Sequence, residues 1–119
     1  MYEIKVLLAN DPQLLRDLVG DFIHSQRDME VVGEVADLFD LLFTVKITKA
    51  DVVIISLPNA DEDPGIISHL LAEYPNLLIV AISPTCNLAC TYRQATSKEK
   101  FFNISSEKIL TMIRNVKED

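Results

Sequence analysis

Residues 51–57 read DVVIISL, and this stretch decides the fold. Its apolar residues, mostly β-branched, stand side by side instead of alternating with polar ones. Consecutive apolar residues are typical of a parallel strand that is covered by helices on both faces. The run therefore predicts a buried central strand over Asp51–Leu57.

Similar runs lie on either side of this strand, separated by segments in which apolar residues recur at helical spacing. The predicted strands are Ile4–Ala9, Glu30–Val35, Asp51–Leu57, Leu77–Ser83 and Lys100–Ile104. The predicted helices are Pro12–Gln26, one capped by Asp37, one opened by Asp63-Pro64, a weak one within Thr85–Lys98 and one capped by Ser105. Alternating strands and helices indicate an α/β protein with a doubly wound, five-stranded parallel sheet, and the flavodoxin-like strand order 2-1-3-4-5 is the commonest choice.

Length and charge exclude several classes of protein. The 119 residues fit one domain over 1–119, and we expect no attached output domain. A net charge of −7 argues against direct nucleic-acid binding, since a phosphate backbone needs a basic surface. The apolar runs are too short to cross a bilayer, and the N-terminus lacks the layout of a signal peptide, so a cytoplasmic location is expected.

Ligand chemistry in such a sheet is expected at the carboxyl ends of the strands, where the strand order reverses. The polar residues at those ends are the candidate site. They are Asn10, Asp11, Ser56, Ser83 and Asn103.

Several stretches carry a family resemblance. IKVLLAND, MEVVGEVAD, DVVIISL, LAEYPNLLIVAIS and SSEKILTMIR resemble receiver domains of two-component response regulators, above all those that precede LuxR-type DNA-binding domains. The resemblance covers nearly the whole chain and implies a CheY-like fold and a role in bacterial signalling.

Several positions depart from what this resemblance implies. Receivers keep an acidic pair after the first strand to help hold Mg²⁺, and here the pair is Asn10-Asp11. The phospho-accepting aspartate ends the third strand, where this chain has Ser56. Ser83 retains the hydroxyl that contacts the phosphoryl group after the fourth strand.

The lysine that follows the fifth strand in receivers is also missing. It stands three residues after a switching aromatic residue, and counting from Phe101 or Phe102 gives Ile104 or Ser105. Asn103 near that strand end does not replace it.

The departures remove the chemistry that a receiver needs. Receiver phosphorylation requires a carboxylate nucleophile and a divalent ion, and Asp11 alone is at most a weak Mg²⁺ ligand. The sequence therefore predicts a pseudo-receiver with no catalytic residue, metal or cofactor. It would act as a phosphorylation-independent interaction module.

The resemblance also implies where a partner binds. Receivers use the face formed by helix four, strand five and helix five, so a homodimer or another protein is expected there. Leu88, Tyr92, Phe101 and Met112 lie in those segments. Leu88 and Tyr92 are expected to be exposed, because helix four has too few apolar residues to bury all of them.

Other interpretations stay open at this point. A small-ligand-binding or enzymatic flavodoxin-like domain could use the same crevice, although no glycine-rich phosphate loop or nucleophile–base pair is visible. Cys86 and Cys90, four residues apart, are better explained as two free thiols on a helix than as a metal or redox pair. The run Asp61–Asp63 is better explained by helix capping than by metal binding.

Overall fold

The computed structural model describes residues 4–9, 13–35, 40–56, 65–83, 88–93, 96–102 and 105–114, with the backbone alone for 13–16 and 96–102. The strands are β1 (Ile4–Ala9), β2 (Met29–Glu34), β3 (Val52–Ser56), β4 (Leu78–Ser83), β5 (Leu88–Arg93) and β6 (Thr96–Phe102). The helices are α1 (Gln13–His24), α2 (Leu41–Thr48), α3 (Gly65–Glu73) and α4 (Ser106–Arg114).

The strands form one six-stranded sheet in the order β2-β1-β3-β4-β5-β6. The predicted order 2-1-3-4-5 is confirmed in a sheet that has one strand more. The additional strand is β5, and the predicted fifth strand, Lys100–Ile104, overlaps β6 beyond it. The pairs β1–β2, β1–β3 and β3–β4 are parallel. Every residue of Val52–Ile55 in β3 is buried, as expected for a central strand with helices on both faces.

The far edge of the sheet differs from the prediction. The segment predicted as the fourth helix, Thr85–Lys98, instead contributes β5, which runs antiparallel to β4, and the first three residues of β6, which runs antiparallel to β5. Leu88, Cys90 and Tyr92 are buried and recur at every second residue, which is the period of a strand. The helix prediction, and with it the wholly parallel sheet, was wrong because this alternation outweighs the helical spacing.

Helices cover both faces of the sheet, and the sheet separates the hydrophobic core into two halves. One half joins α1 and α4 to the sheet, and the other joins α2 and α3. Neighbouring residues of a strand point to opposite halves, so Ile54 belongs to the first and Ile55 to the second.

Two helix ends show their local causes. The backbone N–H of Lys108 donates to Ser105 Oγ at 3.2 Å, so the predicted cap of the last helix is confirmed. At the end of α2, Lys49 adopts a left-handed conformation with φ 55°, and its N–H donates to the carbonyl of Val45 at 2.9 Å. The other predicted caps, Asp37 and Asp63, lie outside the described residues.

An ion pair joins the end of α4 to the turn before β2. Arg114 Nε and Nη2 donate to the two carboxylate oxygens of Asp28 at 2.8 and 3.1 Å, and Nη2 also donates to Gln26 Oε1 at 2.7 Å. The hydrogen bonds between Arg114 and Asp28 hold the pKa of the Asp28 carboxyl below its ordinary value and raise the pKa of Arg114. The pair connects the last turn of α4 to the turn that precedes β2.

Candidate functional site

The carboxyl ends of β1, β3 and β4 meet at one edge of the sheet. Ala9 pairs with Ile55, and Ser56 pairs with Ile82, so Ser83 lies one residue beyond Ser56 on the neighbouring strand. The structure therefore brings two of the predicted site residues to adjacent strand ends. Asn10, Asp11 and Asn103 lie outside the described residues, and their roles stay predictions.

Ser83 is the most unusual residue of this edge. It is buried, and its Oγ is the one buried side-chain polar atom, within the described part of the chain, that has no hydrogen-bond partner. Burying a hydroxyl without a partner is unfavourable, and such groups are rare in native proteins. A polar ligand or a water molecule that reaches this strand end could satisfy the hydroxyl.

Ser56 is half-buried at the end of β3. A serine hydroxyl becomes a nucleophile only when a base takes its proton. His24 and His69 are exposed on α1 and α3, and α1 runs away from this edge, so its end at His24 lies near the opposite edge. Both histidines therefore lie on helices and not at the strand ends that carry Ser56 and Ser83.

The described residues at this edge do not fit a magnesium site. Ser56 and Ser83 offer hydroxyls, whereas Mg²⁺ is usually held through one or two carboxylates. No group of three or more His, Cys, Asp or Glu side chains that could hold a metal ion occurs among the residues described. Asp11 and the run 61–63 lie outside that set.

A cavity of about 360 Å³ opens at the other edge of the sheet, where β3 and β4 begin. Its lining includes Lys46, Lys49, Asp51, Glu73 and Tyr74, so basic and acidic groups are mixed. It is separate from the strand ends that carry Ser56 and Ser83.

The predicted interaction residues do not form an exposed face. Leu88 and Tyr92 are 2% and 7% exposed in β5, where they pack in the core half that holds α2 and α3. Met112 is buried in the other half, and the side chain of Phe101 lies outside the description. The expectation of an exposed Leu88 and Tyr92 was wrong because the segment is a strand with alternating core residues and not a helix.

The prediction that Cys86 and Cys90 lie on a helix is wrong for Cys90, because its segment is a strand. Cys90 lies in β5 with its side chain buried between the sheet and the α2–α3 layer, so it is not on a helix. Cys86 lies outside the described residues.

The exposed apolar side chains lie elsewhere. Leu18 on α1, and Phe43 and Ile47 on α2, are the large hydrophobic residues exposed in the described ranges. The sequence of α2, LLFTVKIT, indicates this exposure. Its apolar residues surround most of the helix, and a helix on the surface of a sheet must leave one side in contact with solvent. This exposed face lies away from the strand ends and from the interaction face that the family resemblance implies.

The chain is similar in sequence to parts of larger bacterial proteins. It is 29% identical over 119 residues to a protein-glutamate methylesterase/protein-glutamine glutaminase of Clostridium acetobutylicum, covering 91% of this chain and 34% of that protein. It is 33% identical over 83 residues to the uncharacterized transcriptional regulatory protein YxjL of Bacillus subtilis, covering 68% of this chain and 38% of that protein. The chain thus spans about a third of the length of these relatives, and no protein-family model matches it.

Its fold is similar to solved receiver domains. The response regulator domain of Thermotoga maritima CheB superposes with a TM-score of 0.68 at 18% identity, covering 96% of each chain. The isolated REC domain of RcsB from Salmonella enterica serovar Typhimurium, solved in the presence of phosphomimetic BeF3⁻, has a TM-score of 0.59 at 21% identity. That superposition covers 68% of this chain and 62% of the REC domain. No helix of the described residues is long and apolar enough to cross a membrane.

Proposed function

The chain has the receiver-domain fold of two-component response regulators, and on that basis we propose that it is a pseudo-receiver. In this proposal it binds a protein partner, or a second copy of itself, without a phosphorylation switch. It serves bacterial signalling of the two-component type as an interaction module and not as an enzyme.

The observation that carries the proposal is Ser56 at the end of β3. The family resemblance implies a phospho-accepting aspartate at this strand end, and an acyl phosphate forms only on a carboxylate. The two histidines, His24 and His69, are exposed on helices and do not lie at this strand end. The resemblance also implies an acidic pair after the first strand that helps to hold a divalent ion, and Asn10-Asp11 offers one carboxylate there.

A partner must then recognise a surface that phosphorylation does not change. A ligand shifts a conformational equilibrium only through its different affinity for the two states. Without a phosphoryl group and its lysine, the chain lacks the main contacts that would separate two states. Partner binding is therefore constitutive in this proposal, and it is set by concentration.

The test is treatment with acetyl phosphate, or with beryllofluoride and Mg²⁺, read by intact mass and by amide NMR. We expect no mass gain and no shift of the amide signals near Ser56 and Ser83. The REC domain of RcsB, solved in the presence of BeF3⁻, is the matched positive control. A stoichiometric gain of one phosphoryl group would contradict the proposal.

One observation favours the alternative of a small-ligand-binding domain, namely the unpartnered hydroxyl of Ser83. A ligand with an acceptor or donor at this strand end would satisfy it. Thermal shift measurements with inorganic phosphate, nucleotides and flavins separate the two functions. A saturable rise in melting temperature that is lost in Ser83→Ala would support the ligand-binding function.

A further inference from the structure

The two opposite sides of α2 are both apolar. Leu41 and Val45 are buried against the sheet, whereas Phe43 and Ile47 are 66% and 61% exposed. Residues four apart, such as Leu41 and Val45, lie on the same side of a helix, and residues two apart lie on roughly opposite sides. Phe43 and Ile47 therefore occupy the middle of the outward face, where a surface helix normally carries polar residues.

This pair differs from the exposed apolar residue on α1. Leu18 stands beside the exposed Asp17 and Asp21, and single apolar residues of this kind are ordinary on protein surfaces. Phe43 and Ile47 form a contiguous patch that includes an aromatic ring. Contiguous exposed apolar patches mark interaction sites in proteins.

The charges at the ends of α2 indicate which partner fits. Asp40, exposed at the N-terminal end, makes no capping hydrogen bond with its side chain. Lys46 and Lys49, both exposed, lie at the C-terminal end. The helix thus presents an acidic end, an apolar centre and a basic end.

A second α2 in antiparallel orientation complements this pattern. The acidic end of each helix then lies near the basic end of the other, and the helix dipoles oppose. The apolar centres meet, with Phe43 of one copy beside Ile47 of the other. A two-fold axis relates the copies, so the contact closes on itself and does not propagate into a filament.

We propose that the outward face of α2, formed by Phe43 and Ile47 between Asp40 and the two lysines, is a homodimer interface for a second copy of this chain. The proposal rests on the proposed function, because it names the surface through which the interaction module binds. Two short helices bury little area, at the low end of the range for protein interfaces. The dimer is accordingly weak and in exchange with the monomer.

Sedimentation velocity of the full chain, from micromolar to millimolar concentration, tests the apolar centre. The wild type should shift from monomer toward dimer as concentration rises. Phe43→Ser and Ile47→Ser should each weaken association at least about tenfold, since each removes a central anchor. Leu18→Ser, an exposed leucine on the other side of the sheet, is the matched control and should leave association unchanged. Circular dichroism verifies that each variant is folded.

Charge reversal tests the antiparallel arrangement. Asp40→Lys makes both ends basic, and Lys46→Glu with Lys49→Glu makes both ends acidic, so each variant alone should associate less than the wild type at low salt. Mixed together they should associate again, because both ends of the mixed dimer then bring opposite charges together.

A monomer at every wild-type concentration would overturn the proposal, and so would equal dimerisation of wild type and Phe43→Ser. Failure of the charge-reversed variants to recover on mixing would overturn the two-fold arrangement. These results are independent of phosphoryl uptake, so a failed dimer interface and a failed pseudo-receiver are distinguishable.

Discussion

Among the residues that the structure describes, none gives the buried hydroxyl of Ser83 a hydrogen-bond partner. Leaving a buried polar group unsatisfied costs about 1–3 kcal/mol. We therefore predict that Ser83→Ala raises the free energy of unfolding by about 1 kcal/mol. Urea denaturation measures this, with Ser83→Thr, which keeps the hydroxyl, as the control. A loss of stability in Ser83→Ala would show that the hydroxyl has a partner in solution.

Ser56 gives a second prediction for a single residue. Ser56→Asp adds a carboxylate to the strand edge that Asp11 follows in sequence, and one or two carboxylates are what a Mg²⁺ site uses. The variant should melt below the wild type in chelator, because of like-charge repulsion, and regain part of the loss in millimolar Mg²⁺. Ser56→Asn, of similar shape and without charge, should not respond. Equal melting temperatures of Ser56→Asp with and without Mg²⁺ would contradict the prediction.

The positions of Ser56 and Ser83 could be predicted, because each residue ends a strand and the apolar runs of the sequence show where β3 and β4 end. The missing partner of Ser83 could not be predicted, since it depends on which atoms surround Oγ in three dimensions. The exposure of Phe43 was missed for a similar reason. Only the position of α2 on the sheet decides which of its apolar sides faces solvent.

Some strands and helices could be predicted from their local sequence alone. β1 has the predicted bounds, Ile4–Ala9, and the cap at Ser105 was predicted from its residue type. β6 overlaps the predicted strand Lys100–Ile104, whereas β5 was not predicted, because its segment was interpreted as a weak helix. The alternation of Leu88, Cys90 and Tyr92 favours a strand, and pairing of this segment with β4 decides its conformation.

The hairpin leads to a prediction for Leu88. Because its side chain packs in the core, Leu88→Ala should lower the free energy of unfolding by about 2–5 kcal/mol. Leu18→Ala, at an exposed leucine, should change it by less than about 0.5 kcal/mol. Chemical denaturation of the two variants provides the measurement. Similar small losses in both would mean that residues 88–93 do not form a core strand in solution.

Across the whole molecule, the pair of Asp28 and Arg114 ties the last helix to the turn before β2. Both side chains are about 40% exposed, so solvent screening limits the contribution to roughly 0.2–1 kcal/mol. Because the pKa of Asp28 is lowered from 3.8 in the folded state, the contribution is present above that pH. It is lost as the pH falls from there through the folded-state pKa.

Asp28→Asn isolates this effect. The wild type should be more stable than the variant near pH 7, and the difference should shrink toward zero as the pH falls below 3.8. Unfolding free energies of both proteins over this range measure it. Glu30→Gln, an exposed change one residue beyond Met29, is the control for general loss of negative charge. A difference that does not depend on pH would contradict the assigned ion pair.

The hairpin at the edge of the sheet also bears on how the chain folds. The strand pairs of this hairpin join residues that are close in sequence, such as Ser83 with Leu88 and Arg93 with Thr96. The pairing of β1 with β3 joins residues far apart in sequence, such as Val6 with Val52. Closing a loop costs more entropy as the loop lengthens, and folding slows as contacts become more distant in sequence. A crossover helix between parallel strands would require one long loop to close, whereas β4, β5 and β6 are joined by two short loops. The β4–β5–β6 end of the sheet can therefore form early in folding, before the parallel strands at the opposite edge have found their register.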